Sequence, residues 1–289
     1  MENEAKIKIL GSAAAEGIPA LFCNCRVCQE AWKNKGKDVR MRTSYLINGS
    51  VRLDFGPDSM AQEYKYDLHS ENLRHLFLTH PHIDHLLKEE FNWRMPGFSV
   101  VPEENILNVY GSAGTLMDIR SYFYNYRNFQ GDYKKFRMNL VEMKRFETLE
   151  LPDVDQAWTQ FPADHMYERP AGEPSFYMIR IGTKYALIAN DTGVFADCVW
   201  EYLEKNKVSF DLVITDCTGG ILDIEHGHMS GKYVLETKEK LEKLGCITKE
   251  TPYYINHFSH NCKATHRELE AHFNPHGIQV CYDGLEIQF

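Results

Sequence analysis

The residues with the clearest capacity for chemistry are Thr79-His80-Pro81-His82-Ile83-Asp84-His85. From His80 on, they place three histidines and one aspartate in six positions, directly after the apolar stretch at 73–79. His80 and His82 are two apart, so in extended chain they share a face. No helix brings His80, His82 and His85 to one point, but a strand end turning into a loop can, and Asp84 and His85 then face a second point. Imidazole and carboxylate together suit Zn(II), Mn(II) or Fe(II). The bland alternative is a solvated loop that happens to be His-rich; the Asp and His in fifth and sixth position argue against it.

A second constellation is Phe22-Cys23-Asn24-Cys25-Arg26-Val27-Cys28, a Cys-x-Cys-x-x-Cys. Any disulfide set among these three thiols leaves one unpaired. As thiolates they make three of the four ligands of a tetrahedral zinc, with a fourth needed from elsewhere. The alternative is three buried or free thiols.

The elements that position these residues belong to a chain of 289 residues, 43% hydrophobic and 25% charged, with a formal net charge of -9. Such a balance is ordinary for a globular protein. It disfavours non-specific binding to nucleic acid or an anionic membrane, both of which want a basic face, but leaves room for a small anion beside bound cations. No stretch approaches the roughly 20 apolar residues of a membrane span. The charged start does not read as a signal peptide, so the cytoplasm is the expected compartment. The eight cysteines are then metal ligands or buried thiols rather than disulfides.

Residues 1–289 read as one continuous domain. Residues 6–10 alternate as a strand. Asn48-Gly49 between 45–47 and 51–55 is a strong hairpin signal, and Gly182-Thr183 between 176–181 and 184–189 suggests another. Residues 212–215 and 253–256 look like further strands. At the end, 278–282 and 285–289 flank Asp283-Gly284 as a third hairpin. Helices are expected over 27–33, 115–126, 196–205, 231–244 and 266–273. Hairpins mixed with helices imply mixed sheets covered by helices; a four-layer αββα sandwich fits, though pattern alone would not choose it.

His80-x-His82-x-Asp84-His85 resembles the His-x-His-x-Asp-His signature of the metallo-β-lactamase superfamily, and other landmarks fall in order. Asp54 resembles the early Asp that supports the His loop. His165 resembles the third metal histidine, Asp191 the bridging carboxylate and His257 the last ligand at a strand end. The resemblance implies the four-layer fold and two divalent metals: His80, His82 and His165 on one, Asp84, His85 and His257 on the other, Asp191 between. His260, three residues after His257, is the natural fourth partner for Cys23, Cys25 and Cys28. That pairing, with Gly11-Ser12-Ala13-Ala14-Ala15-Glu16-Gly17-Ile18-Pro19 before it, resembles the PhnP-type subgroup of cyclic-phosphate phosphodiesterases, where these four ligands hold a structural zinc.

The resemblance further implies a histidine near a helix start that contacts the substrate phosphate. His228 fits best, with Ser230 capping the helix that follows, and His226 is the rival. Two metals about 3.5–4 Å apart would bridge a water and lower its pKa, and His228 would donate a hydrogen bond or a proton. Asp84 and His228 are thus the candidate catalytic residues, Asp84 as a ligand with no separate proton role. The expected function is a dinuclear phosphodiesterase for a small diester, cyclic ones included. The rivals are a thiolester or lactone hydrolase on the same fold, a cofactor-biosynthesis protein of the pyrroloquinoline quinone pathway, and a non-catalytic metal-binding sensor. A nucleic-acid substrate would want basic surface and an extended arm, and neither is apparent. The aromatic-rich segment 120–136 could form a lid, a homodimer surface or an ordinary packed helix and loop.

Overall fold

The computed structural model describes residues 5–127, 131, 133–165 and 173–289. The strands form two seven-stranded sheets. The first runs β14 (Glu286–Gln288), β1 (Lys6–Gly11), β2 (Ser44–Ile47), β3 (Val51–Leu53), β4 (His75–Phe77), β5 (Leu107–Gly111) and β6 (Met138–Glu142). The second runs β13 (Gln279–Val280), β12 (Tyr253–Asn256), β11 (Leu212–Asp216), β10 (Lys184–Ala189), β9 (Ser175–Ile181), β8 (Gln156–Pro162) and β7 (Thr148–Leu151). In each sheet an antiparallel half passes into a parallel half whose strands need crossovers.

Both hairpins expected at Asn48-Gly49 and Gly182-Thr183 are present. Asn48, Gly49 and Gly182 take the left-handed φ values of 46°, 69° and 58° that tight turns require. The third expected hairpin is overturned. The chain does turn at Asp283-Gly284, but β13 joins the second sheet beside β12 while β14 joins the first beside β1. The segment therefore crosses between the sheets. Asp283 ties the crossing down: its carboxylate accepts from the Ser12 hydroxyl and the Met41 amide, each at 2.7 Å.

Period-two alternation sorts the strand residues into layers. Ile7, Ile9, Phe77, Trp158, Tyr177, Ile179, Ile188 and Ile214 fill the space between the sheets. Phe77 and Trp158 stack there at 3.9 Å between ring centres. The opposite face of β4 and β5, with Leu76, Leu78 and Val109, packs on Leu116, Ile119 and Phe123 of α3 (Ala113–Arg127). The outer face of the second sheet is covered by α4 (Asp197–Asn206), α5 (Lys232–Lys243) and α6 (His266–Phe273) through Val199, Leu203, Val234, Leu241, Leu269 and Phe273. Helix, sheet, sheet and helix thus follow one another, the four-layer arrangement expected. Of two further helices, α1 (Arg26–Asn34) joins the outer cluster of the second sheet through Val27 and Ala31, and α2 (Ser59–Tyr66) lies beside β1; α2 has no counterpart in the sequence reading.

In the aromatic segment Phe123 and Phe136 are buried against the first sheet, with Tyr122 and Tyr133 packed beside them, while Tyr124 is exposed. Phe129 and the side chain of Tyr126 lie outside the described residues. Among the described residues no helix is long and apolar enough to cross a membrane.

Candidate metal centre

The candidate ligands hang on strand ends that open at one rim of the sandwich, where α/β sheets place their sites. His80, His82, Asp84 and His85 follow β4, His165 follows β8, Asp191 follows β10 and His257 follows β12. Asp54, just past β3, Asp191 and His257 have φ of 62°, 50° and 65°. Left-handed backbone costs a non-glycine residue roughly 1 kcal/mol or more, and such residues gather at functional sites. Gly56 serves the same rim by close approach: a Cβ there would lie 1.9 Å from the Asp84 carbonyl oxygen.

The structure brings all seven candidate ligands together in the two sets expected. His80 Nε2 lies 2.8 Å from His82 Nδ1, and His165 Nε2 lies 3.1 Å from that same nitrogen. In the second set His85 Nε2 is 3.1 Å and His257 Nε2 3.9 Å from Asp84 Oδ2. Asp191 touches both. Its Oδ2 is 2.7 Å from His85 Nε2 and 3.0 Å from His257 Nε2, and its Oδ1 is 3.8 Å from His165 Nε2. These three buried atoms, His85 Nε2, His257 Nε2 and Asp191 Oδ2, approach one another at these distances, yet none makes a hydrogen bond of proper geometry. Buried polar groups without partners are costly. A cation at their meeting point would satisfy all three, and the nitrogen and carboxylate donors fit zinc, manganese or iron.

The far side of each ring fixes which nitrogen faces the centre. His85 Nδ1 donates to Asp54 Oδ2 at 2.7 Å. Thr79 gives its amide and hydroxyl to Asp54, so its oxygen accepts from His80 Nδ1 at 3.0 Å. His165 Nδ1 donates to the Gly227 carbonyl at 2.8 Å. Thr218 Oγ1 donates to Asp216 and accepts from His257 Nδ1 at 2.8 Å. In all four the Nε2 lone pair is left for a metal.

Burial pushes the His80 and His82 imidazoles below their ordinary range, which keeps them neutral donors. Burial also opposes charge on Asp84 and Asp191. The adjacent imidazoles overcome it, His85 for Asp84 and His257 with His85 for Asp191, and hold both carboxyls well below the carboxylate range. Burial would lower His257, yet the Asp191 carboxylate lifts it to about 10. The centre is built to hold positive charge.

His82, Asp84, His165, Asp191, His228 and His257 line one wall of a cleft of about 430 Å³. Of the two late histidines, His228 lines the cleft and His226 does not. His226 is 81% exposed and pairs with Asp164, away from the cleft. His228 sits 3.7 Å from Asp191 through Nδ1, which also lies 3.1 Å from Asp216 Oδ2 and from Thr218 Oγ1. Ser230 does not cap α5. Its hydroxyl accepts from the Gly219 amide, Asp223 takes the Lys232 amide, and the N-cap is Gly231. Gly231 is required, because a Cβ there would come within 2.7 Å of the Leu222 carbonyl at a φ of +59°.

Cys23, Cys25, Cys28 and His260 form a second cluster, their ligand atoms all within 4.8 Å of one another. All three cysteines are free thiols. His260 Nδ1 is 3.5 Å from Cys23 Sγ and 3.6 Å from Cys25 Sγ. A tetrahedral zinc with bonds of about 2.3 Å to sulfur and 2.0 Å to nitrogen has sulfur–nitrogen edges of about 3.5 Å, so the donors fit. Burial works against a Cys25 thiolate, but hydrogen bonds from the Cys28 amide, Cys23 and His260 bring it down to about 6. Burial drives Cys28 up to about 12.

The beta-lactamase superfamily domain matches residues 50–247, which include the His80 loop, His165, Asp191 and His228. The chain belongs to this superfamily, a family of hydrolases. A diphosphatase of the PhnP family has a similar structure, with a TM-score of 0.72 and 22% identity over 99% of this chain and 97% of that one. Zinc-bound PqqB from Methylobacterium extorquens gives 0.71 and 17% over 98% and 100%. A curated octanoyltransferase from Porphyromonas gingivalis is 35% identical over 82 residues, 27% of this chain and only 16% of its own length.

Within the superfamily frame, two contributors escaped the sequence reading. Asp216 and Thr218, at the end of β11, had no role assigned from the sequence, yet together they seat both His228 and His257. Thr218 and His257 are 39 residues apart, a pairing no local pattern signals.

Proposed function

We propose that this superfamily hydrolase is a dinuclear metal-dependent phosphodiesterase acting on small diesters, cyclic ones included. The observation that carries the reading is the Asp191 carboxylate in reach of both ligand sets. His80, His82 and His165 would hold one divalent cation, Asp84, His85 and His257 the other, with Asp191 shared. Bound there, such a pair supplies a water nucleophile near neutral pH and offsets charge on phosphoryl oxygens. Cys23, Cys25, Cys28 and His260 would hold a zinc with no open position, and hence a structural one.

His228 does the remaining work. Burial disfavours its protonation, but Asp216 more than compensates and raises its pKa above the ordinary value. With Nδ1 committed to Asp216 and Thr218, its Nε2–H is the group left to donate to a phosphoryl or leaving oxygen. Two cation positions and one N–H match the charge of a phosphodiester, spread over two non-bridging oxygens and the leaving oxygen. An acyl ester develops charge on a single oxyanion. The cleft volume of about 430 Å³ suits a small molecule.

The test is Asp191→Asn. With zinc or manganese supplied, the wild type should turn over bis(p-nitrophenyl) phosphate, while the variant loses at least about 100-fold in kcat and roughly one metal per chain by elemental analysis. Full metal content with unchanged turnover would refute the shared-ligand role. Hydrolysis of thiolesters with none of phosphodiesters would refute the substrate class.

A further inference from the structure

One wall of the cleft has no part in holding metals. Glu16, in the loop after β1, reaches across to the segment after His257. Its Oε1 accepts from Ser259 Oγ at 3.3 Å and from Asn261 Nδ2 at 3.2 Å, across 243 and 245 residues of sequence. All three residues line the cleft that Asp84, Asp191 and His228 also line, and the apolar side chains of Ala14, Leu222 and Ile224 complete its lining there. Among the described lining residues there is no lysine or arginine, and Glu16 is the one carboxylate apart from Asp84 and Asp191. Every polar contact of Glu16 among the described residues uses Oε1, which leaves Oε2 without one.

A carboxylate accepts hydrogen bonds and donates none. At the rim of a site that draws in an anionic phosphodiester, it repels further negative charge on the organic part and attracts hydroxyl donors. Asn261 and Ser259 add amide and hydroxyl groups beside it. The apolar wall offers a surface for carbon. Resting on the phosphodiesterase reading, we infer that Glu16, Ser259 and Asn261 form a hydroxyl-recognising subsite, which selects diesters whose alcohol is an uncharged polyol such as glycerol or a sugar. Glu16 is the specificity-determining residue, since its hydrogen bonds to hydroxyls are charge-assisted and thus the stronger ones.

The experiment compares two chromogenic diesters that differ only in two hydroxyls, p-nitrophenyl glyceryl phosphate and p-nitrophenyl propyl phosphate, on the metal-loaded full chain. The wild type should favour the glyceryl ester in kcat/KM by at least about tenfold, the discrimination expected when a substrate hydroxyl meets a charged partner. Glu16→Ala should bring that ratio close to one. Glu16→Gln keeps an acceptor for Ser259 and Asn261 and should lower the ratio by a smaller factor. Equal wild-type rates on the two esters overturn the subsite and leave the phosphodiesterase reading standing. Hydrolysis of neither ester overturns both. A wild-type preference for p-nitrophenyl phosphorylcholine, which brings a cation and no hydroxyl, assigns Glu16 to cation binding and overturns the inference. Glu16 Oε1 also lies 3.9 Å from His260 Nε2, so zinc per chain is measured throughout; its loss in both variants would give Glu16 to the cysteine site instead.

Discussion

Two oxygens set His228 apart from its neighbour His226. Asp216 and Thr218 orient its ring and favour its protonated form, while His226, two residues earlier, is left in solvent. His228→Gln should therefore lower kcat on bis(p-nitrophenyl) phosphate by about 100-fold, the usual scale of a lost proton donor, with metal content unchanged. His226→Ala should leave both at wild-type values. A large loss from His226→Ala, or metal loss in His228→Gln, would reverse the assignment. At this scale the sequence was most legible where the candidate ligands are crowded together, from His80 to His85 and from Cys23 to Cys28. It was least legible for residues whose meaning is a distant contact, such as Thr218 beside His257 or Glu16 beside Asn261.

At the scale of elements, α1 is fastened at its first turn. Cys25 is its N-cap and makes no side-chain capping bond. Arg26 holds the Glu268 carboxylate of α6 through both terminal guanidinium nitrogens, at 3.0 and 3.1 Å. Glu268 in turn completes a capping box with Thr265. The cysteine cluster and this ion pair together dock α1 on the stretch from His257 to α6. Arg26 is about half exposed, so its pair contributes little alone and zinc would supply most of the fastening. Cys25→Ser should release about one zinc per chain and lower Tm by several degrees or more, at roughly 2–4 °C per kcal/mol for a chain of this size. Unchanged zinc content would exclude Cys25 as a ligand. The five expected helices were legible from their periodicity, whereas β5 to β8 were not. β8 is buried on both faces and includes Gln156, Thr159 and Gln160, so it shows neither alternation nor an apolar run.

For the whole molecule, the misread C-terminal hairpin is instructive. Asp-Gly between apolar runs specifies a turn, but which sheet each run joins depends on edges that β1 and β12 leave open hundreds of residues away or just before. Asp283 at that crossing is a pH-dependent tie. Burial lifts its carboxyl to about 6, above an ordinary value near 3.9. A folded-state pKa above the unfolded one means that the folded chain holds the proton more tightly, so this stabilisation is full below about pH 4 and is lost as pH rises through about 6. Asp283→Asn has no such loss. Whatever its constant offset, the Tm of the variant minus that of the wild type should rise between about pH 4 and 6 and level off above 7. A difference that stays flat or falls over that window would contradict the assignment.

The ligand sets draw on both halves of the sandwich: His80 to His85 extend from the first sheet, and His165, Asp191 and His257 from the second. A cation held between them would work as a rivet through two plates. Its coordination distances would then follow the gap between the sheets, and that gap is set by the side chains that fill it, among them Phe77 on Trp158. Affinity at the rim and packing in the middle would thus be one quantity read in two places, and a void opened deep between the sheets would be felt as looser coordination at the surface.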